Sequence, residues 1–171
     1  MSGKFAKLLL ILITALCFTS TTILAKESSN DKTIERARKT VQMLDDLYKT
    51  FIVLITQEYV KDPSVLPAAV LSKKVFETME KKGWHQARLL DATGKPFNTD
   101  NSPKDDFEKD AIKAIVSGKS YFERVEKIEG KNYLRVATIV PVVIEGCTIC
   151  HKNKKIGELL GAISYSVPLE E

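Results

Sequence analysis

The run Cys147-Thr148-Ile149-Cys150-His151 constrains this chain more than any other feature. Two thiols spaced as Cys-x-x-Cys with an imidazole directly after them match what covalent haem attachment requires. The sulfurs add across two vinyl groups on one edge of a porphyrin, and the adjacent histidine becomes an axial ligand of the iron. Three other uses of the same residues compete. An oxidising compartment would allow a Cys147–Cys150 disulfide. A thioredoxin-like pair belongs at the start of a helix in a βαβ unit, whereas this motif follows a strand-like stretch and precedes Lys152-Asn153-Lys154-Lys155. A structural zinc site needs four ligands, and a directly adjacent Cys-His pair is awkward for one tetrahedral ion. The expectation is one covalent haem c on Cys147 and Cys150, with His151 as axial ligand.

The N-terminus adds an independent reason. Lys4 and Lys7 precede the apolar run Leu8 to Leu16, a small polar stretch from Thr19 to Thr22, and Ile23-Leu24-Ala25 as a cleavage site. This is the pattern of a signal peptide over 1–25, cleaved near Ala25. The run is short for a bilayer span, though an uncleaved anchor is the competing reading. Haem c is attached outside the cytoplasm, so a periplasmic location agrees with the motif. Of three cysteines, Cys17 leaves with the leader, and the two histidines are His85 and His151. The net charge of +4 includes the two leader lysines and gives no argument for nucleic acid.

The remaining chain is long enough for one domain with a real core. Asp31 to Val60 reads as a long helix, with Ile34, Ala37, Val41, Leu44, Tyr48, Phe51 and Ile55 forming a heptad stripe. Such a helix is about 45 Å long. The stripe either packs along the chain's own sheet or forms a homodimer through the N-terminal helix. Asp62-Pro63 breaks it. A second helix is expected from Val65 to Lys82, stopped by Lys81-Lys82-Gly83. Then come a strand at Ala87 to Asp91, a turn at Thr93-Gly94-Lys95-Pro96, a polar loop from Asn98 to Ser102, and a third helix capped by Ser102 and ending at Ser117-Gly118. Strands at Ser120 to Ile128 and Asn132 to Val140 are joined by Glu129-Gly130-Lys131. The cysteine motif is expected in a loop opened by Pro141, with a last strand from Leu160 to Val167. The division is a leader (1–25), a long helix (26–62) and an α+β domain (63–171) with two N-terminal helices and an antiparallel sheet.

The sixth iron ligand is open in the sequence. No methionine follows Cys147, and the candidates are His85, Met79 and Met43. Met79 lies on an apolar helical stripe, where core packing competes with ligation. His85 competes with an ordinary buried histidine. Arg88 and Arg135 are candidates to pair with the haem propionates. Trp84, Phe97, Tyr121, Phe122 and Tyr133 are candidates for the wall of the haem pocket.

Four stretches resemble a known family. They are Asn98 to Pro103 with Phe107-Glu108, Leu134-Arg135-Val136-Ala137 to Pro141, Cys147 to His151, and Gly157 to Ser164 ending at Val167-Pro168. Over Val65 to Pro168 the chain resembles the single-haem, PAS-like c-type domains found as free periplasmic proteins and as sensory domains of membrane receptors. The resemblance implies a PAS-like antiparallel sheet with the haem on one side and an N-terminal helix pair. Some members place a cysteine thiolate from an N-terminal helix opposite the histidine, and residues 26–171 have no third cysteine for that. The expected function is a haem-based redox sensor or a diatomic-gas (NO or CO) binding protein with an open or weakly held sixth site, acting through a redox or signalling protein partner. The alternative is an electron-transfer cytochrome with a six-coordinate haem. No enzyme activity is expected.

Overall fold

The computed structural model describes residues 3–62 and 66–169, with side chains described from residue 30 onward. The elements are α1 (Gly3–Tyr59), α2 (Ala68–Lys81), β1 (Gln86–Asp91), a single 3-10 turn (Thr99–Asn101), α3 (Asp106–Val116), β2 (Tyr121–Ile128), β3 (Lys131–Pro141), α4 (Glu145–Cys150) and β4 (Leu159–Pro168). This is an α+β fold. The four strands form one antiparallel sheet in the order β1-β4-β3-β2. The last strand in sequence therefore lies in the middle, and β1 pairs with β4 at the edge.

The chain divides near Arg36 into an N-terminal unit and a compact unit, Ala37–Glu170, which holds the sheet and the cysteine motif. The leader expected over 1–25 falls on residues whose side chains lie outside the described ones. Among the described residues, no helix is long and apolar enough to cross a membrane. Pro63 and Val65, expected to break one helix and begin the next, also lie outside the described residues. Lys26 to Asn30, before the start of the stripe, is helical too, since it contains no proline or glycine to interrupt α1.

Two apolar layers cover the sheet. On one face, α3 buries Phe107, Ala111 and Ile115 against Leu90, Ala137 and Ala162, with Phe122, Ile139 and Leu159 at the margin. Each fully buried large side chain contributes about 1.5–3 kcal/mol. On the other face, the α1 stripe of Ala37, Val41, Leu44 and Tyr48 is buried within the same unit. That part of the stripe is covered by its own chain, which is the packing along the sheet that the heptad pattern allowed. Tyr48 stacks on Tyr165 of β4 at 6.4 Å and meets Phe76 of α2 edge-on at 4.8 Å. Beside it, Asp45 accepts hydrogen bonds from Thr138 Oγ1 and Tyr165 Oη and pairs with Lys49.

Turn chemistry sets the boundaries. Gly83 sits at φ 76°, and the Gly83 N–H to Glu80 and Trp84 N–H to Met79 carbonyl bonds close α2 in a Schellman motif. Glu129 and Gly130, both at positive φ, form a two-residue hairpin turn, so Lys131 belongs to β3 and pairs with Ile128. The α3 cap differs from expectation. Ser102 is extended and closes the 3-10 turn, while the Asp105 carboxylate accepts from the Glu108 N–H at 2.8 Å. Glu108 in turn reaches back to the Lys104 N–H at 2.8 Å. The cap thus lies three residues later than the serine suggests, with Glu108 satisfying the N–H just before it in the manner of a capping box.

Candidate functional site

The cysteine motif occupies the connection between β3 and β4. The register shifts at Val140/Pro141, and the chain leaves the sheet there. It is pinned at its base: the Val142 N–H donates to the Glu158 carbonyl and the Gly157 N–H donates to the Val142 carbonyl, each at 2.8 Å. Gly157 adopts φ 88°, which this closure requires. The excursion between these bonds carries α4 and the residues after it.

The sequence leads one to expect the motif in a loop, and it instead forms the short helix α4. Six residues leave too little periodicity to read from sequence. The helical turn puts Cys147 and Cys150, three apart, on one side. Both thiols are free, Cys147 half-buried and Cys150 exposed. The His151 N–H closes the helix on the Cys147 carbonyl at 3.0 Å, and the Lys154 N–H bonds the His151 carbonyl at 2.9 Å. Gly146 lets the turn sit close to the end of α1, since a Cβ there would lie 3.3 Å from Thr56 Cγ2 and 3.5 Å from Val60 Cγ1.

His151 is half-buried, and its ring lies edge-on to that of Phe97 at 6.2 Å. Burial pushes its imidazole below the ordinary value; the Asp91 carboxylate opposes this and the Lys154 ammonium reinforces it. Phe97 is 90% exposed, and Val143, Ile149 and Ile156 in the connection are about half exposed. Large apolar side chains gathered at a surface mark a site for a ligand or partner. Two free thiols one helical turn apart, a following imidazole and this apolar border suit a covalently held haem. Among the described residues, no three or more His, Cys, Asp or Glu side chains converge as a site for a bare metal ion.

The structure brings Phe97 to His151 and leaves the other candidates elsewhere. His85 is buried just before β1, and its Nε2 shares a 2.8 Å hydrogen bond with Tyr48 Oη. Asp91 lies six residues along, about 20 Å at strand rise. Burial lowers the His85 pKa. Met79 lies in the last turn of α2, at the His85 end. Met43 is 62% exposed on α1, thirteen residues and about 20 Å before Thr56.

Both arginines bind protein carboxylates. Arg88 binds both oxygens of buried Glu108 at 2.8 and 2.6 Å and the carbonyls of Asp100 and Ser102. Arg135 pairs with Asp105 at 2.7 Å and Glu126 at 3.1 Å, over the Phe107 ring. Of the candidate wall aromatics, only Phe97 borders the motif. Phe122 packs under α3, Tyr121 bonds Glu123, Tyr133 pairs with the far end of β4, and Trp84 is exposed after α2. Asp91 is not singled out by the sequence, because an acid ending a strand carries no signal of what lies across the sheet.

The sequence model of a family described as Tll0287-like matches residues 26–168. Among solved structures, the chain is similar to the crystal structure of the cyanobacterial heme-protein Tll0287. The TM-score is 0.58 at 13% identity, over 80% of this chain and 97% of that one. At that identity the likeness speaks to the fold. No curated protein matches the chain significantly.

Proposed function

This chain belongs to the Tll0287-like family, and on that footing we propose that it is an exported, periplasmic protein carrying one covalent haem c. Cys147 and Cys150 hold the porphyrin edge and His151 ligates the iron. The observation that carries this is the placement of two free thiols and the following imidazole on one exposed turn, beside a bare phenylalanine. The similar solved protein is itself a heme-protein, which supports the reading. When bound, the haem supplies a redox centre and an iron able to take a diatomic ligand.

The sixth iron position is open or weakly held, and the protein acts as a redox or gas-binding sensor with a protein partner rather than as an enzyme. The commitment of His85 to Tyr48, a strand length from Asp91, supports this. A second reading, electron transfer, draws on the exposure of Cys150 and Phe97, which would leave a haem edge within reach of a redox partner.

Absorption spectra of the protein made with c-haem maturation machinery test both. Haem should survive denaturing electrophoresis, and the reduced spectrum should shift at once under CO or NO. A six-coordinate spectrum indifferent to both gases would move the assignment to electron transfer. Absence of retained haem would overturn the proposal.

A further inference from the structure

Phe97 is 90% exposed, yet its ring has a partner. It stands edge-on to the His151 imidazole, with 6.2 Å between centroids and 66° between planes. Aromatic rings attract one another edge to face at that separation. The backbone on either side of Phe97 is pinned. Before it, the Asp91 carboxylate accepts from the Thr93 N–H at 2.9 Å and the Gly94 N–H at 2.7 Å, and Thr93 Oγ1 accepts from the Lys95 N–H at 3.1 Å. Gly94 supplies the φ of 75° that this turn needs, and the ring of Pro96 restricts its own φ. After it, Asn98 Oδ1 accepts from the Asp100 N–H at 2.9 Å, and the Asn98 carbonyl accepts from the Asn101 N–H at 3.0 Å. The segment from Asp91 to Asn101 is therefore an arm built by its own short-range hydrogen bonds, with Phe97 between its two turns. Phe97 takes no part in the core under α3. A large apolar ring held out on such an arm, against one imidazole, is placed for that imidazole.

We propose that Phe97 is a positioning residue: its ring fixes the plane of the His151 imidazole and keeps water from it, and so holds the haem iron toward its reduced state. The inference rests on the haem reading above. Ferric haem carries one more positive charge than ferrous haem, and the more charged form is the one that loses most when water is excluded. Burial around an axial ligand is one of the levers by which a protein sets a haem potential. Removing a group that orients a ligating histidine commonly costs about tenfold or more. A tenfold change in the oxidised-to-reduced ratio is about 59 mV for one electron.

Two measurements on Phe97→Ala and Phe97→Tyr test this. The first is proton resonance of the full chain made without haem and kept reduced. Phe97→Ala should move the ring protons of His151 and leave those of His85, the other histidine, where they are. The second is potentiometric titration of the haem-loaded protein. Phe97→Ala should lower the midpoint potential by roughly the tenfold equivalent, and Phe97→Tyr, which keeps the ring, should recover most of it. Because the side chain is exposed, both variants should melt at the wild-type temperature. Unmoved His151 protons, an unchanged potential in haem-bearing Phe97→Ala, or equal shifts in Phe97→Ala and Phe97→Tyr would each overturn the inference alone. Wild-type protein without haem would overturn the functional reading and the inference together.

Discussion

The two histidines sit at opposite ends of the same edge strand, in opposite surroundings. His85, before β1, is buried under α1 with its ring nitrogen bonded to Tyr48 and its neighbours aromatic. His151, beside the far end of β1, is half-exposed, follows two free thiols and touches one bare ring. A buried imidazole with a partner serves packing. One set among free thiols and an open apolar border is the one the proposed haem site uses. The difference lies in what surrounds each ring, since both are pushed toward the neutral form by burial.

The sharpest way to break this contrast is to remove the thiols. The Cys147→Ala/Cys150→Ala double variant should lose all covalently retained haem on a stained gel while keeping its far-ultraviolet dichroism. His85→Ala should keep the stain and the spectrum. A changed spectrum in His85→Ala would make that residue an iron ligand and end the contrast.

Next in size is the sheet beneath the motif. Gly161 pairs with Asp91, and a side chain there would be driven into the Leu90 carbonyl. Gly161→Ala should cost about 3 kcal/mol, read as a lower urea midpoint, and should loosen the His151 end before the His85 end in hydrogen exchange.

His85→Ala should cost about 2 kcal/mol by orphaning the Tyr48 hydroxyl. Its pH signature sharpens the comparison. Because burial lowers the folded pKa of His85, the unfolded chain binds the proton more readily. Stability is therefore full above the ordinary value of 6.5 and falls as pH drops below it. His85→Gln should flatten that limb in thermal melts between pH 7 and 5. The smallest effect is expected at Gly83, at φ 76° in the α2 stop, where Gly83→Ala should cost about 1 kcal/mol.

What can be read from the sequence follows from how local each signal is. The strands, the α2 stop and the 129–130 turn are legible because alternation and glycine act over a few residues. The α3 cap is easily misplaced because Ser102-Pro103 and Asp105-x-x-Glu108 offer similar starts three residues apart. Only the Glu108 N–H donating to the Asp105 carboxylate, with the Lys104 N–H donating to Glu108, decides between them. The motif itself is legible, being contiguous. Its surroundings are not. Phe97 is one aromatic among five candidates, Asp91 gives no signal, and the partners of Arg88 and Arg135 lie 20 and 30 residues away in sequence. Pairings across a sheet depend on register, which no single segment declares.

The central position of β4 has a consequence for the order in which the protein comes into being. A ribosome makes the residues of β4 after every other residue of the sheet. Until they emerge, β2 and β3 can close as a hairpin, but β1 has nothing to pair with. The thiols precede β4 in the chain, so they are made while the sheet is still half-built. The last strand to be made is thus the one that closes the sheet on both sides of the connection carrying Cys147 and Cys150.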